Sequence, residues 1–350
     1  MYESELARSL VPYTPGEQPK VPGLIKLNTN ENPYPPSENV RKAIAGEAGK
    51  LRLYPDMNAD GLRDALAQRY GLTRDEVFCG NGSDEVLAFA FAAFFARRRT
   101  YSLDLTYSFY PVYADLFGVD LQRARIRDDF TVPVEELLRD GPVVLANPNA
   151  PTSLLLPEDQ IERILRHAAS RGNVVLVDEA YAEFACDNAL RFLKTCDNLL
   201  IVRTFSKSHS LAGLRAGYAL GAPGLIASLQ KVRDSFNSYP LDRLAQAGAE
   251  AAVRDEAYTQ SCLKRICATR DRSIRVLREN GITVLDSQTN FLLVKAHPED
   301  ALDIQKKLRE EGILVRYFSS PRLRPYLRVT VGTGEDMERV TERLCFYCRS

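Results

Sequence analysis

Short, wholly apolar segments alternate with longer amphipathic stretches along roughly the first 245 residues of this chain. Two of these segments, 143–146 and 174–177, are apolar at every position, which is typical of parallel strands covered by helices on both faces. Strands that alternate with helices favour a largely parallel sheet. The sequence therefore predicts an α/β fold, with strands over 77–79, 119–126, 143–146, 174–177, 199–204 and 217–220.

Beyond about residue 245 the pattern changes to a long helical stretch followed by strands and helices of a smaller α+β domain. Strands are predicted there over 282–285, 290–295, 313–318 and 326–331. Prolines are concentrated near the start of the chain, which favours an extended arm that runs over a surface and reaches a partner subunit. We predict an arm over 1–32, a large domain over 33–245 and a small C-terminal domain over 246–350.

The charge balance narrows the class of function. The chain has 46 Lys plus Arg and 46 Asp plus Glu, so its formal net charge is zero. This balance does not favour binding to nucleic acid or to an anionic membrane. The longest apolar run, 86–96, is shorter than the roughly 18 residues that span a bilayer, and we expect a buried helix there. The N-terminal sequence lacks the features of a secretory signal. We expect a cytoplasmic protein that acts on small molecules.

The cysteines give no support for a metal site. Seven cysteines at irregular spacing suit a reducing compartment better than a disulfide framework. Cys345 and Cys348 form a single CxxC with no second pair and no histidine at ligand spacing, so packed thiols are favoured over a zinc or redox role. We expect no metal.

Polar residues follow several predicted strands, at the edge of the sheet where open α/β folds bind their ligands. Residues 80–85 (GNGSDE) precede the apolar helix, and their exposed backbone N–H groups favour an anion such as phosphate. An ordinary helix capped by Ser83 or Asp84 is the alternative.

Three further strand ends carry reactive side chains. Asn147 lies in a loop between prolines, where a plain turn is the alternative. Asp178 ends an apolar strand, where a carboxylate requires a cationic partner unless it caps the next helix. Lys207 lies among small hydroxyl residues and is a candidate imine-forming amine, although a single loop lysine is usually solvated. Together with a phosphate site, these groups match the chemistry of pyridoxal 5′-phosphate.

Five motifs, SKSHSLAGLRAGYAL, NPNAPT, DEAY, NGSDE and LNTNENP, occur in an order and spacing that resembles the fold-type I aminotransferases, from about Tyr13 to Val331. The resemblance implies a Schiff base between pyridoxal 5′-phosphate and Lys207, which also transfers the substrate proton. It implies that Asp178 pairs with the pyridine nitrogen and that Tyr110 stacks on the ring. Asn147 and Tyr181 are then expected at the phenolic oxygen, and the phosphate is expected at Ser83, Asp84, Thr204, Ser206 and Arg215.

The resemblance also concerns the substrate. Arg328 matches an arginine that pairs with a substrate anion, which could be a carboxylate or a phosphate. Four further residues match positions near the substrate. Tyr54 is expected to come from the neighbouring subunit, and the others are Arg316 and the arm residues Tyr13 and Asn30. The resemblance is greatest to the branch that transaminates L-histidinol phosphate with 2-oxoglutarate, giving glutamate, in histidine biosynthesis. It implies a homodimer with shared active sites.

Alternatives remain at this point. Ser153, Leu105 and Pro35 differ from the residues that are usual at these positions in the family. None of the three changes removes a reactive group, so they concern the substrate preference more than the reaction. An aromatic amino acid aminotransferase and a decarboxylase acting on threonine phosphate are the nearest alternatives. A regulatory aminotransferase-like domain would need an attached DNA-binding domain, and the residues before the first motif are too few and too weakly basic to form one.

Overall fold

The computed structural model describes residues 2–14, 16–20, 22–297 and 300–348. Its strands are β1 (Ile25–Leu27), β2 (Val77–Gly80), β3 (Arg99–Leu103), β4 (Asp120–Ala124), β5 (Val143–Ala146), β6 (Val175–Asp178), β7 (Leu199–Thr204), β8 (Gly217–Gly221), β9 (Phe291–Lys295), β10 (Ile313–Tyr317) and β11 (Tyr326–Thr330).

The helices alternate with these strands. They are α1 (Glu5–Ser9), α2 (Glu38–Ala48), α3 (Asp60–Tyr70), α4 (Gly82–Ala90), α5 (Tyr110–Phe117), α6 (Val134–Leu137), α7 (Glu158–Ala169), α8 (Pro223–Phe236), α9 (Arg243–Arg254), α10 (Glu256–Glu279), α11 (Ala301–Glu310) and α12 (Gly334–Tyr347).

The large sheet has seven strands in the order β2-β8-β7-β6-β5-β3-β4. Every pair is parallel except those of β8, which is antiparallel to both its neighbours. The strands β5, β6 and β7 are buried at every position because helices cover both faces, as their apolar sequences predict. The α/β prediction is confirmed. The carboxyl ends of β2, β5, β6 and β7 and the start of β8 therefore lie along one edge of the sheet.

The small sheet has four strands in the order β1-β10-β11-β9. The edge strand β1 comes from the N-terminal segment and pairs parallel with β10, whereas the other two pairs are antiparallel. A second hydrophobic core packs this sheet against α10, α11 and α12. The N-terminal segment thus contributes to the small sheet. The domain boundaries at residues 32 and 245 stay predictions.

Apart from shifts of one residue at strand ends, the structure differs from the predicted strands at four elements. Residues 282–285 form a single bridge, Val284 to Val294, because the chain leaves the sheet again after Leu285. The strand predicted over 119–126 is shorter in the structure, where β4 covers Asp120–Ala124. The strands β1 and β3 were not predicted, since β1 has only three residues and β3 carries polar residues such as Ser102, whose hydroxyl donates to the carbonyl of Val144 inside the sheet.

The helix predicted over 86–96 begins earlier, at Gly82, and its last turn, Phe91–Phe95, is π-helical. No helix among the described residues is long and apolar enough to cross a membrane. Within the same residues no three His, Cys, Asp or Glu side chains are grouped as metal ligands, and Cys345 and Cys348 are buried.

Candidate active site

Asp178 is the last residue of β6, and its side chain is only 5% exposed. One carboxylate oxygen accepts a hydrogen bond from the Tyr110 hydroxyl at 2.9 Å and the other accepts from the Ala180 N–H at 3.1 Å. Burial raises the pKa of Asp178 to about 7, and the negative charges of Asp84 and Glu179 add to this rise. No α-helix begins directly after β6, so Asp178 is not a helix cap. A cation placed beside this carboxylate would offset the cost of its burial.

Lys207 follows β7 at the same edge of the sheet, and its side chain is half-buried. Its Nζ donates a hydrogen bond to the carbonyl of Thr29 at 3.0 Å. Burial, together with the positive charge of Arg328, lowers the pKa of Lys207 to about 8. An appreciable share of the amine is therefore neutral near pH 7, as a nucleophile or a base requires.

The start of α4 packs directly against the start of β8. A Cβ at Gly217 would collide with the backbone nitrogen of Ser83, so glycine is required for this close approach. Gly82 has a positive φ of 77° and leads the chain into the helix. Asn81 is the N-cap residue and makes no side-chain cap bond, so neither Ser83 nor Asp84 caps the helix. The free N–H groups of the first turn remain available to an anion.

Arg215 brings positive charge to this helix start. Its guanidinium pairs with the Asp84 carboxylate at 2.9 Å and lies 3.4 Å from the Ser206 hydroxyl. The other carboxylate oxygen of Asp84 accepts from the Tyr107 hydroxyl at 2.8 Å. Because a carboxylate only accepts hydrogen bonds, Asp84 could bind a phosphate solely through its backbone N–H. Thr204 lies beside this group and accepts from the Ser206 N–H through its hydroxyl.

Asn147 and Tyr181 present polar groups on the same edge. The Asn147 Oδ1 accepts from the Leu156 N–H at 2.8 Å, which fixes the amide plane, whereas its Nδ2 makes only a long 3.4 Å contact with the Leu156 carbonyl. The Tyr181 hydroxyl accepts from the Asn30 Nδ2 at 2.8 Å. The backbone N–H of Asn30 in turn bonds the Thr330 hydroxyl, so this arm residue links β11 to Tyr181.

The structure requires a correction for Tyr110. Its ring is completely buried between neighbouring aromatic rings, so it has no free face on which a cofactor could stack. The hydroxyl of Tyr110 instead holds Asp178. Tyr107 lies three residues earlier, before α5 begins, and is partly exposed beside Asp84. We therefore assign the stacking position to Tyr107 and a carboxylate-positioning role to Tyr110.

Two arginines of the small sheet lie directly opposite each other, Arg316 on β10 and Arg328 on β11. Arg328 donates to the Asn28 carbonyl at 3.0 Å, and its guanidinium lies 5.3 Å from the centre of the Phe291 ring. Its Nε is buried and has no hydrogen-bond partner among the described residues. An anion would fit this group, because a buried guanidinium N–H without an acceptor is costly.

Tyr13 and Tyr54, which are also predicted to contact the substrate, pack against aromatic rings of this chain. Tyr13 packs against Phe109, with 4.9 Å between ring centres, and Phe109 also contacts Tyr107. Tyr54 is 79% exposed and stacks on Tyr239 at 4.7 Å. No described contact joins Tyr54 to Lys207 or Asp178 within this chain.

Sequence reasoning missed three features around the site. Asn32 donates to the main chain of Lys207, Thr29 accepts from its amine, and a buried ion pair joins Glu179 to Arg203. Asn32 and Glu179 both lay within recognised motifs, LNTNENP and DEAY, but the motifs alone did not indicate which partners they contact.

The residues at this edge fit pyridoxal 5′-phosphate. The costly buried carboxyl of Asp178 suits a protonated ring nitrogen, and the Lys207 amine suits an aldehyde. The start of α4 with Arg215 suits a phosphate.

Comparison with known proteins agrees with this geometry. The family model for aminotransferase class I and II matches residues 22–344. Histidinol-phosphate aminotransferase 1 of Hydrogenovibrio crunogenus is 47% identical over 346 residues, covering 98% of this chain and 97% of that protein. The histidinol-phosphate aminotransferase of Clostridium acetobutylicum is 46% identical over 344 residues, covering 97% of each chain.

Solved structures share the fold. Histidinol-phosphate aminotransferase from Sinorhizobium meliloti, in complex with pyridoxal-5′-phosphate, superposes with a TM-score of 0.84 at 27% identity, over 99% of this chain and 97% of that one. A Thermus thermophilus aspartate aminotransferase mutant has a TM-score of 0.83 at 19% identity over 99% and 100% of the two chains, which shows the fold alone. The chain belongs to the class I and II aminotransferase family and has the fold-type I architecture.

Proposed function

We propose that this chain is a pyridoxal-phosphate-dependent transaminase that moves the amino group of L-histidinol phosphate to 2-oxoglutarate in histidine biosynthesis. The observation that carries the proposal is the meeting of Lys207 and Asp178 at one sheet edge, each with a pKa shifted by burial toward neutrality. Paired shifts of this kind are typical of catalytic acids and bases. The names and near-complete coverage of the relatives support the substrate.

The cofactor would be held at both ends by residues of the large sheet. Lys207 supplies the amine that joins the aldehyde, and Asp178 pairs with the ring nitrogen. Tyr107 covers one ring face, and Asn147 and Tyr181 bond the phenolic oxygen. The phosphate is held by the α4 N–H groups of Ser83 and Asp84, with Thr204, Ser206 and Arg215. When bound, pyridoxal phosphate draws electrons from the substrate Cα and makes its hydrogen acidic.

Lys207 then acts as the base. Its amine, freed when substrate replaces it, removes the proton from the substrate Cα and later returns a proton on the path to product. Asp178 stays ionised beside the positive ring nitrogen, because that charge lowers the pKa of its carboxyl. The hydrogen bond from Tyr110 favours the same ionised form.

The phosphate of the substrate would lie at Arg328 and Arg316. A dianionic phosphate suits two guanidinium groups on adjacent strands, whereas the single carboxylate of an aromatic amino acid needs only one. Tyr13 and Asn30 of the arm line the same region. These contacts do not favour the aromatic amino acid alternative, and the names of the relatives favour neither it nor the threonine phosphate alternative.

We further propose a homodimer in which Tyr54 completes the site of the partner subunit. Large apolar side chains are exposed around Tyr54 and on the segment that carries Tyr239, on which Tyr54 stacks, and such exposure is typical of an interface. These residues are Leu51, Leu53, Tyr54, Met57, Phe236 and Tyr239. Cys79, Cys186, Cys196, Cys262 and Cys267 are free thiols, which suits the cytoplasm.

The test compares turnover of L-histidinol phosphate, phenylalanine and threonine phosphate by the pyridoxal-phosphate-loaded protein, with 2-oxoglutarate as acceptor. We expect kcat/KM for histidinol phosphate to exceed that for phenylalanine by at least about a hundredfold, since the phosphate gains a second charged contact. A preference for phenylalanine, or carbon dioxide release from threonine phosphate, would contradict the proposal. Light scattering of the wild type tests the dimer, and the KM of dimeric Tyr54→Ala for histidinol phosphate tests the shared site.

A further inference from the structure

The segment between β1 and α2 contacts Lys207 at two points. The Thr29 carbonyl accepts from the Lys207 Nζ at 3.0 Å. Three residues later, the Asn32 Nδ2 donates to the main-chain carbonyls of Lys207 and Ser208, at 3.0 and 3.2 Å. One short segment therefore holds both the backbone and the reactive atom of the same lysine.

The amide of Asn32 is itself fixed in orientation. Its Oδ1 accepts from the Tyr34 N–H at 3.0 Å, so its Nδ2 must face the Lys207 loop. No charged group is needed for this arrangement, and the side chain is half-buried. Because both the donor and the acceptor of the amide are used, Asn32 restrains the loop in one position rather than several.

The same segment is tied to the substrate side. Asn28, directly before Thr29, accepts from the Arg328 guanidinium through its carbonyl at 3.0 Å. Residues 28–32 therefore connect Arg328 on β11 with Lys207 after β7, and thus connect the small sheet to the large one. The strand β1 anchors the start of this segment through its pairing with β10.

We propose that Asn32 is a positioning residue for Lys207 and that the Thr29 carbonyl is the resting acceptor for its free amine. Asn32 keeps the main chain of Lys207 stationary, so that only the side chain moves when the amine is released. The amine then rests against Thr29, close to the site, instead of turning into solvent. A misplacement of about 1 Å at a catalytic group costs up to about a hundredfold in rate, which makes this restraint consequential.

The proposal rests on the proposed function for the role of Lys207, but its main test needs neither cofactor nor substrate. In cofactor-free protein, Lys207 is labelled with acetic anhydride across a pH series, and peptide mass spectrometry follows its modification. The midpoint of labelling reports the pKa of this amine. Asn32→Ala is compared with Asn198→Ala, because the Asn198 Nδ2 also donates to two main-chain carbonyls, those of Leu165 and Asn173, away from Lys207.

We expect the wild-type midpoint near pH 8. In Asn32→Ala the amine is free to reach water, and its midpoint should rise by about one unit or more toward the usual lysine value. Asn198→Ala should leave the midpoint unchanged even if it melts earlier. In the loaded enzyme, Asn32→Ala should lower kcat by about ten- to a hundredfold with little change in KM.

A folded Asn32→Ala protein with the wild-type midpoint and kcat would overturn the proposal. A lower melting temperature without a shift in midpoint would also overturn it, since that result describes a structural residue. Asn32→Ser, whose hydroxyl is too short to reach both carbonyls, serves if the alanine variant does not fold. Failure of the proposed function is separate, because it would appear as wild-type protein that does not turn over histidinol phosphate while the Lys207 labelling midpoint still responds to Asn32.

Discussion

Tyr110→Phe distinguishes two roles for a completely buried tyrosine. The substitution keeps the ring and removes only the hydroxyl that donates to Asp178 at 2.9 Å. A ring that merely stacked on the cofactor would tolerate this change. A hydroxyl that stabilises the ionised carboxylate would not, because Asp178 is buried and its pKa is already raised to about 7.

The size of the effect follows from the bond that is lost. A hydrogen bond to a charged group contributes about 1.5–3 kcal/mol, and one pKa unit corresponds to about 1.4 kcal/mol. The pKa of Asp178 should therefore rise by about one to two units in cofactor-free Tyr110→Phe. Since only the ionised carboxylate pairs with the protonated ring nitrogen, the affinity for pyridoxal phosphate near pH 7 should fall by about ten- to a hundredfold.

The assay is equilibrium titration of cofactor-free protein with pyridoxal phosphate between pH 6 and pH 9, followed by visible absorbance. Tyr113→Phe is the matched control, because its hydroxyl lies on the same helix and donates to the Asp84 main-chain carbonyl instead. The loss of affinity in Tyr110→Phe should shrink as the pH rises and Asp178 ionises. Wild-type affinity at every pH would refute the assignment of Tyr110 to Asp178.

Three further predictions follow from buried charge. Asp178→Asn should stabilise the cofactor-free protein above pH 7 by up to about 4 kcal/mol, because the raised pKa makes ionisation costly between the unfolded value near 3.8 and about 7. This gain should vanish below about pH 3, where the folded and the unfolded carboxyls both hold their protons, and urea unfolding at pH 3 and above pH 7 measures it. Glu179→Gln removes the nearer carboxylate partner of the buried Arg203, with Glu183 remaining at 3.9 Å, and should cost about 3–5 kcal/mol in the same unfolding assay, whereas an unchanged midpoint would contradict it. Arg328→Gln should raise KM for histidinol phosphate by about a hundredfold and abolish competition by inorganic phosphate, as steady-state kinetics would show; equal inhibition by phosphate would place the anion elsewhere.

The layout of the large sheet could be predicted because its strands are apolar on both faces and are followed by polar residues. Asp178 and Lys207 were recognisable for the same reason, since a charged group directly after a buried strand requires a partner. The family resemblance added roles for residues such as Tyr181, whose chemistry alone is unspecific. Family membership, fold and cofactor class were thus accessible from sequence.

The direction in which individual side chains point could not be predicted from the sequence. Tyr107 and Tyr110 lie three residues apart around the start of α5, and only the position of that helix determines that one reaches Asp84 and the other Asp178. The contacts of Asn32 also join residues about 175 positions apart, so no local pattern reveals them. The strand β1 escaped prediction because three residues are too few to show a period.

The most direct test of the account is reduction of the pyridoxal-phosphate-loaded protein with borohydride, followed by digestion and peptide mapping. We predict one phosphopyridoxyl group per chain, on Lys207, with the visible absorption band lost on reduction. The Lys207→Ala variant should take up no stable label. A label on another lysine, or an unmodified peptide containing Lys207, would contradict the central claim that this amine carries the chemistry.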